Sequence, residues 1–223
     1  VYKKSRPFYE RTSMVRLTRD MLPLNGGCVL TIGNFDGVHS GHNALLRKTV
    51  EIARAEGLSS AVWTFASHPQ SLLGEKELRY IVGAKDKERL IAQTGVDLYY
   101  SADFADFRHM DATAFVRDEL VKAFRVHHVV CGYDFRFGAD GKGSSFILAK
   151  LLEESNAKCT VVLPVTVDGA PVSSTRLRAL ISDGDMEQAA RLLGRLYSFS
   201  LPVVRGRAIG RTLGSPTINQ LFP

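Results

Sequence analysis

The chain has 223 residues, 45% of them hydrophobic and 23% charged, the composition of a globular protein with a full core, which excludes fibrous and disordered classes. No apolar run approaches the roughly 20 residues that a membrane-spanning helix needs, and the polar opening VYKKSRPFYERTS lacks the apolar stretch of a secretory signal, so a cytoplasmic protein is expected. The 29 Lys and Arg against 23 Asp and Glu leave a charge of +6, a field that attracts anions, whether nucleotides, nucleic acid or acidic membranes.

Along the chain, apolar runs rich in β-branched residues alternate with amphipathic stretches, the pattern of βαβ units and a mostly parallel sheet. Strands are expected over Cys28–Gly33, Ser60–Phe65, Asp97–Ser101, Val126–Cys131 and Lys158–Pro164. Behind the first of these, Leu45, Leu46, Thr49, Val50 and Ala53 recur at helical spacing, and Gly57 is placed to stop the helix. Further helices are predicted from Lys85 to about Gln93 and over Asp111–Ala123, Ser145–Ser155, Thr175–Ile181 and Met186–Leu193. Parallel strands joined by such crossovers make an open, doubly wound, Rossmann-like α/β sheet. Cys28, Cys131 and Cys159 each sit in an apolar run and no CxxC occurs, which reads as buried reduced thiols rather than a zinc site or a disulfide framework. Past Arg195 the pattern changes: Ser198–Arg207 reads as extended, and GRTLGSPTINQLFP closes the chain. About 25 residues cannot bury a core of their own. Residues 1–195 are therefore expected to form one domain, and 196–223 a linker with the start of another.

The segment TIGNFDGVHSGH puts a loop at the end of a strand and begins a helix near Gly41. Ligands of open α/β sheets bind at that edge, and a helix start offers unpaired N–H groups and a positive dipole end to an anion. His39 and His42, three apart, share a face and can donate to phosphate oxygens, while Gly41 lets phosphates approach the backbone. The alternatives are two polar loop histidines without a ligand, or a metal pair that lacks a third ligand. In PVSSTRLR, Ser173, Ser174 and Thr175 stand at a second helix start with Arg176 and Arg178 just inside; this is either a second phosphate cradle or an ordinary N-cap. In CGYDFRFGADGKG, Phe135 and Phe137 flank Arg136, an arrangement that can wall a pocket for a flat ring whose polar groups Asp134 accepts from, or simply pack the core. FASHP brings Phe65, His68 and Pro69 to the same sheet edge, where His68 could equally be a solvated loop residue.

HSGH resembles the HxGH signature of the nucleotidyltransferase superfamily, and neither a Walker A loop nor a KMSKS lysine motif accompanies it. The ordered set GNFDGVHSGH, FASHP, GYDFRFG and SSTRLR resembles the prokaryotic bifunctional riboflavin kinase/FAD synthetase family from about Val15 onward. The resemblance implies that residues up to about Leu193 form an FMN adenylyltransferase module, which makes FAD and pyrophosphate from FMN and MgATP. It implies that His39, His42, Ser174 and Arg178 are the catalytic contacts to the ATP phosphates. Gly33, Asn34, Phe35, Asp36, Gly41, Gly132, Ser173 and Thr175 then complete the ATP site. It likewise implies a flavin site of Phe65, His68, Pro69, Asp134, Phe135 and Phe137. The histidines, Arg178 and the helix starts are expected to supply the positive field for the transfer. GRTLGSPTINQ resembles the opening of the riboflavin kinase module, a β-barrel, with Pro216, Thr217 and Asn219 matching its PTxN motif, in which Thr217 and Asn219 would hold Mg2+ with ATP. Ser215 stands where phenylalanine is usual, and Leu201-Pro202 replaces a glycine-bearing stretch. As the sequence stops at Pro223, before the acidic catalytic residue, kinase activity is expected only of a longer chain. Val1–Ser13 has no counterpart in the resemblance, and Met14 is a family-like start. The implied partners are ATP, FMN and riboflavin, with neither nucleic acid nor membrane; no basic stripe or nucleic-acid signature is present. The competing readings are another HxGH adenylyltransferase, acting on nicotinate mononucleotide or phosphopantetheine, and a non-catalytic flavin- or nucleotide-binding protein.

Overall fold

Runs such as CVLTI and SSAVWTF form strands because their β-branched and aromatic side chains fit a pleated surface buried on both faces. The structure, a computed structural model, describes residues 14–66, 79–206, 214–215 and 217–220. Its first half runs β1 (Val15–Leu17), β2 (Cys28–Ile32), α1 (Ser40–Glu56), β3 (Ser59–Phe65), α2 (Ala84–Ala92), β4 (Leu98–Ala102) and a short α3 (Phe104–Phe107). Next comes α4, which starts at Ala112–Ala114 and widens to a π-helix over Phe115–Ala123, then β5 (Val126–Gly132) and the small strands β6 (Arg136–Phe137) and β7 (Gly143–Ser144). The chain continues through α5 (Ser145–Glu153), β8 (Lys158–Val162), β9 (Thr166–Val167), β10 (Ala170–Pro171), α6 (Ser174–Asp183) and α7 (Met186–Leu193). Two short strands, β11 (Val203–Val204) and β12 (Asn219–Gln220), pair antiparallel in the tail.

Six strands make one parallel sheet in the order β1-β4-β3-β2-β5-β8. This is the doubly wound α/β architecture that the alternation of elements predicts. Side chains alternate between two buried faces with a period of two. Leu30, Trp63, Tyr100 and Val129 point to a core shared with Leu120, Phe124, Leu148 and Leu152 of α4, its end and α5. Val62 and Tyr99, one residue out of phase, pack with Leu46 and Val50 of α1, Ile91 of α2, Leu177 of α6 and Leu192 of α7. Helices therefore cover both faces, and only the strand ends are left to hold a ligand.

The structure adds elements that the pattern did not announce. The edge strand β1 is three residues long, too short for a periodicity to register. The hairpin β9–β10 turns at Asp168 and Gly169, both at positive φ, the Asp-Gly pair that favours a two-residue turn. Cys28 and Cys131 are buried and Cys159 half-buried, all as free thiols; burial pushes the Cys28 thiol up to about 12, which makes it inert. Of the expected second domain, the described residues contain only the β11–β12 pair, which does not amount to a barrel. Among the described residues, no helix is long and apolar enough to cross a membrane.

Candidate active site

From β2 the chain moves to β3 and β4 on one side and later returns to β5 and β8 on the other. The crossovers diverge between β2 and β5, and a crevice opens there beyond their carboxyl ends. It is a cleft of about 280 Å³ walled by Gly33, Asn34, His39, Gly41 and His42, by Gly132 to Phe135, and by Val172 to Ser174. Between β2 and α1 the backbone must turn within a few residues, and Phe35, Gly37 and Val38 take left-handed conformations at φ +50, +84 and +42. Gly37 is required twice over, since a Cβ there would lie 3.0 Å from Ile81 Cγ2. Phe35 is fully buried beneath the turn, edge-on to His42 with ring centres 5.2 Å apart.

The turn delivers His39 to the N-cap of α1, where its Nδ1 accepts the backbone N–H of His42 at 3.2 Å. The two imidazoles stack, with centres 3.6 Å apart and planes 14° from parallel. A Cβ at Gly41 would press on the His39 ring at 3.2 Å, so the glycine of HSGH makes room for that ring. Burial, with help from Arg195, lowers the His39 pKa to about 4. Burial and the neighbouring His39 and Lys87 hold His42 well below the usual range. Both rings are therefore uncharged at neutral pH. A neutral ring that accepts through Nδ1 carries its proton on Nε2, which makes His39 an N–H donor. His42 Nδ1 is buried with no hydrogen-bond partner.

At the start of α6, Ser173 caps the helix by accepting the Arg176 N–H at 3.2 Å. Ser174 Oγ donates to the carbonyl of Asp36 at 2.9 Å, and Arg178 donates to the Asp36 carboxylate at 2.7 Å and to the Arg79 carbonyl at 3.1 Å. The buried Asp36 also accepts the Ile81 N–H at 3.0 Å. Thr175 is exposed. Two helix N-termini thus meet at one cleft, and the side chains of the second tie it to the loop of the first. Among the described residues lining the cleft there is no Lys or Arg; Arg178 stands behind them, on Asp36.

The family model for FAD synthetase matches residues 22–176, more than half of the chain. The chain belongs to the FAD synthetase family. Bifunctional riboflavin kinase/FMN adenylyltransferases of Listeria monocytogenes and Escherichia coli K12 are each 38% identical to it over 86% of its length, and that of Bacillus subtilis 36% identical over 86%. The chain spans 61% to 62% of the length of those three relatives. A crystal structure described as a macrolide-efflux protein from Streptococcus pneumoniae superposes with a TM-score of 0.78 at 29% identity, over 94% of this chain and 69% of that one.

In this family member the DFRFG loop divides between cleft and core. Tyr133, Asp134 and Phe135 line the cleft, whereas Phe137 is buried against Phe115 with ring centres 5.8 Å apart. Phe135 stacks on Phe137 at 5.5 Å and 11°, so the core ring holds the cleft ring. Phe65 is half-buried, edge-on to Trp63 and Phe104, and does not line the cleft. His68, Pro69 and Pro216 lie outside the described residues. Thr217 and Asn219 are exposed in the tail and do not line the cleft. The described residues contain no group of three or more His, Cys, Asp or Glu that could hold a metal. Asp134 is the one carboxylate among the described lining residues, too few for the protein alone to hold a hard divalent cation there.

Two residues that the motifs did not flag sit directly behind the wall. Lys87 of α2 is buried and donates to the carbonyls of Phe65 at 2.8 Å and Asn34 at 3.4 Å, with burial lowering its pKa to about 8. Its signal was present: Lys87, Leu90 and Ile91 fall three and four apart, on the buried helix face. Arg195 donates to the carbonyls of Gly37 at 2.7 Å and Val38 at 3.0 Å; it follows the α7 stop at Gly194, where no periodicity marks it.

Proposed function

We propose that this chain is an FMN adenylyltransferase that transfers AMP from MgATP to FMN. The observation that carries the proposal is the convergence of two helix N-termini and the DFRFG loop on one cleft at the reversal of strand order. An FMN phosphate oxygen attacks the α-phosphorus of ATP, a new P–O bond forms, the bond to the bridging oxygen breaks, and FAD and pyrophosphate result. The attacking oxygen is already anionic at neutral pH, so no general base is required. The chemistry that Mg2+ would supply, bound with ATP, is charge neutralisation on the phosphates. The chain's own part is alignment and charge stabilisation. N–H groups at the starts of α1 and α6 face the phosphates, and His39 and His42 act as neutral donors in a wall whose described residues include no Lys or Arg. Ser174 and Arg178 position the loop through Asp36, and Phe135 with Asp134 form the edge nearest a flat ring. Riboflavin phosphorylation is proposed only for a chain that carries the remaining length of the relatives.

The test is to incubate the purified chain with MgATP and FMN, and separately with riboflavin, and to resolve the flavins chromatographically. FAD from FMN, with no FMN or FAD from riboflavin, is the expected result. ATP binding without any flavin product would assign the cleft to another acceptor.

A further inference from the structure

The turn before α1 is held in a conformation that its own sequence resists. Val38 is β-branched and sits at φ +42, a region that is strained for such a residue and persists only where the surroundings impose it. What imposes it comes from beyond the stretch matched by the family model, which ends at residue 176. Arg195 aims two arms of its guanidinium at consecutive carbonyls, Gly37 and Val38, while Asn43 Nδ2 reaches the Val38 carbonyl only at 3.4 Å. A planar fork matches two adjacent acceptors, whereas an ammonium acts as a single point. The Arg195 Nε is buried without a partner, so the side chain accepts a cost to keep this pose. The residues behind it are anchored too. Tyr197 donates to the Ile81 carbonyl at 3.0 Å, and Ser200 donates from N–H and Oγ to Asp86 at 2.7 and 2.9 Å. This strap crosses from the end of α7 to the start of α2 and closes over the turn.

We propose that Arg195 is a positioning residue for AMP transfer, bracing the carbonyls of Gly37 and Val38 so that the left-handed turn presents His39 and the start of α1 to the phosphates. The proposal rests on the reading of the chain as an FMN adenylyltransferase. It makes the strap part of the adenylylating unit, and it places a positive charge immediately behind a wall whose described residues include no Lys or Arg. Misplacement of a reacting group by about 1 Å costs on the order of 100-fold in rate, and that is the size of effect expected.

The test uses the full chain with Arg195→Ala and Arg195→Lys. Both are expected to lower kcat for FAD formation by about 100-fold, with little change in the KM for FMN. Methylguanidinium at millimolar concentration restores part of the kcat of Arg195→Ala and none of that of His42→Ala, a rescue that a merely structural arginine would not show. A wild-type kcat per folded molecule in Arg195→Ala, or a loss that methylguanidinium leaves untouched, overturns the proposal. Should Arg195→Ala fail to fold, Arg195→Lys decides, and an unchanged kcat there overturns it equally. If the unaltered chain makes no FAD, the reading of function fails instead. Calorimetric ATP binding then tests the brace separately: weaker binding by Arg195→Lys supports it, and unchanged binding overturns it.

Discussion

The two helix starts that frame the cleft solve the same problem with different chemistry. At α6 the cap is Ser173, a hydroxyl that accepts one backbone N–H and does not titrate; its neighbour Ser174 is spent on the Asp36 carbonyl. At α1 the cap is His39, an aromatic donor stacked on a second histidine, at the end of a turn with three residues in left-handed conformations. The α6 end is built from an ordinary hydroxyl cap. The α1 end is held from behind by Lys87, by Arg195 and by the Asp36 that Arg178 engages. Lys87, Arg195 and Arg178 form a second layer that grips carbonyls and a carboxylate, behind described lining residues that include no Lys or Arg.

Substitutions at the two ends should separate these roles. The largest effect is expected of His42→Ala, which removes a donor from the α1 end: FAD formation should fall about 100- to 1,000-fold, the usual cost of one lost transition-state donor, while the thermal midpoint moves little. Retention of near-full activity would transfer the work to the helix dipole alone. Next comes the pH dependence of the cap. The unfolded His39 protonates near 6.5 and the folded one only near 4. Between those values the unfolded state binds more protons, so stability falls as the pH drops from 6.5 to 4, by roughly 3 kcal/mol from this residue. In His39→Asn, which keeps a capping acceptor, urea unfolding across that range should show a flattened slope; an unaltered slope would mean that His39 does not titrate as its burial requires. The smallest effect belongs to Ser173→Ala, which should cost about 1 kcal/mol, as a lost N-cap does. That loss should be the same at pH 5 and pH 7, and a pH-dependent loss would erase the distinction between the two ends.

How much of this could be read from residues alone differs between fold and site. The five longest sheet strands and the α1 stop at Gly57 follow from apolar runs and a glycine at the right place, because both depend on local sequence. The HSGH, SSTRLR and DFRFG segments announced a common sheet edge, and the cleft joins residues of all three. What stayed hidden was the direction in which side chains turn. Asp36 and Arg178 face each other across 142 residues, Phe137 turns inward while Phe135 does not, and Arg195 reaches back 157 residues to Val38. Such pairings are set by how crossovers pack, and no periodicity records them. The uncharged state of the histidines was equally illegible, since it comes from desolvation by a fold rather than from neighbours in sequence.

Trp63 is the single tryptophan of the chain. It is 1% exposed, donates its indole N–H to Glu119 Oε1 at 3.1 Å, and meets Phe65, Phe107 and Phe115 edge-on. Excited at the red edge, where tyrosine does not absorb, the protein therefore gives an indole signal from one buried setting. Flavins absorb where indole emits, so an FMN seated at the neighbouring strand ends would dim that light by energy transfer. The occupancy of the cleft thereby becomes visible without turnover, in variants that have lost catalysis as readily as in the parent chain.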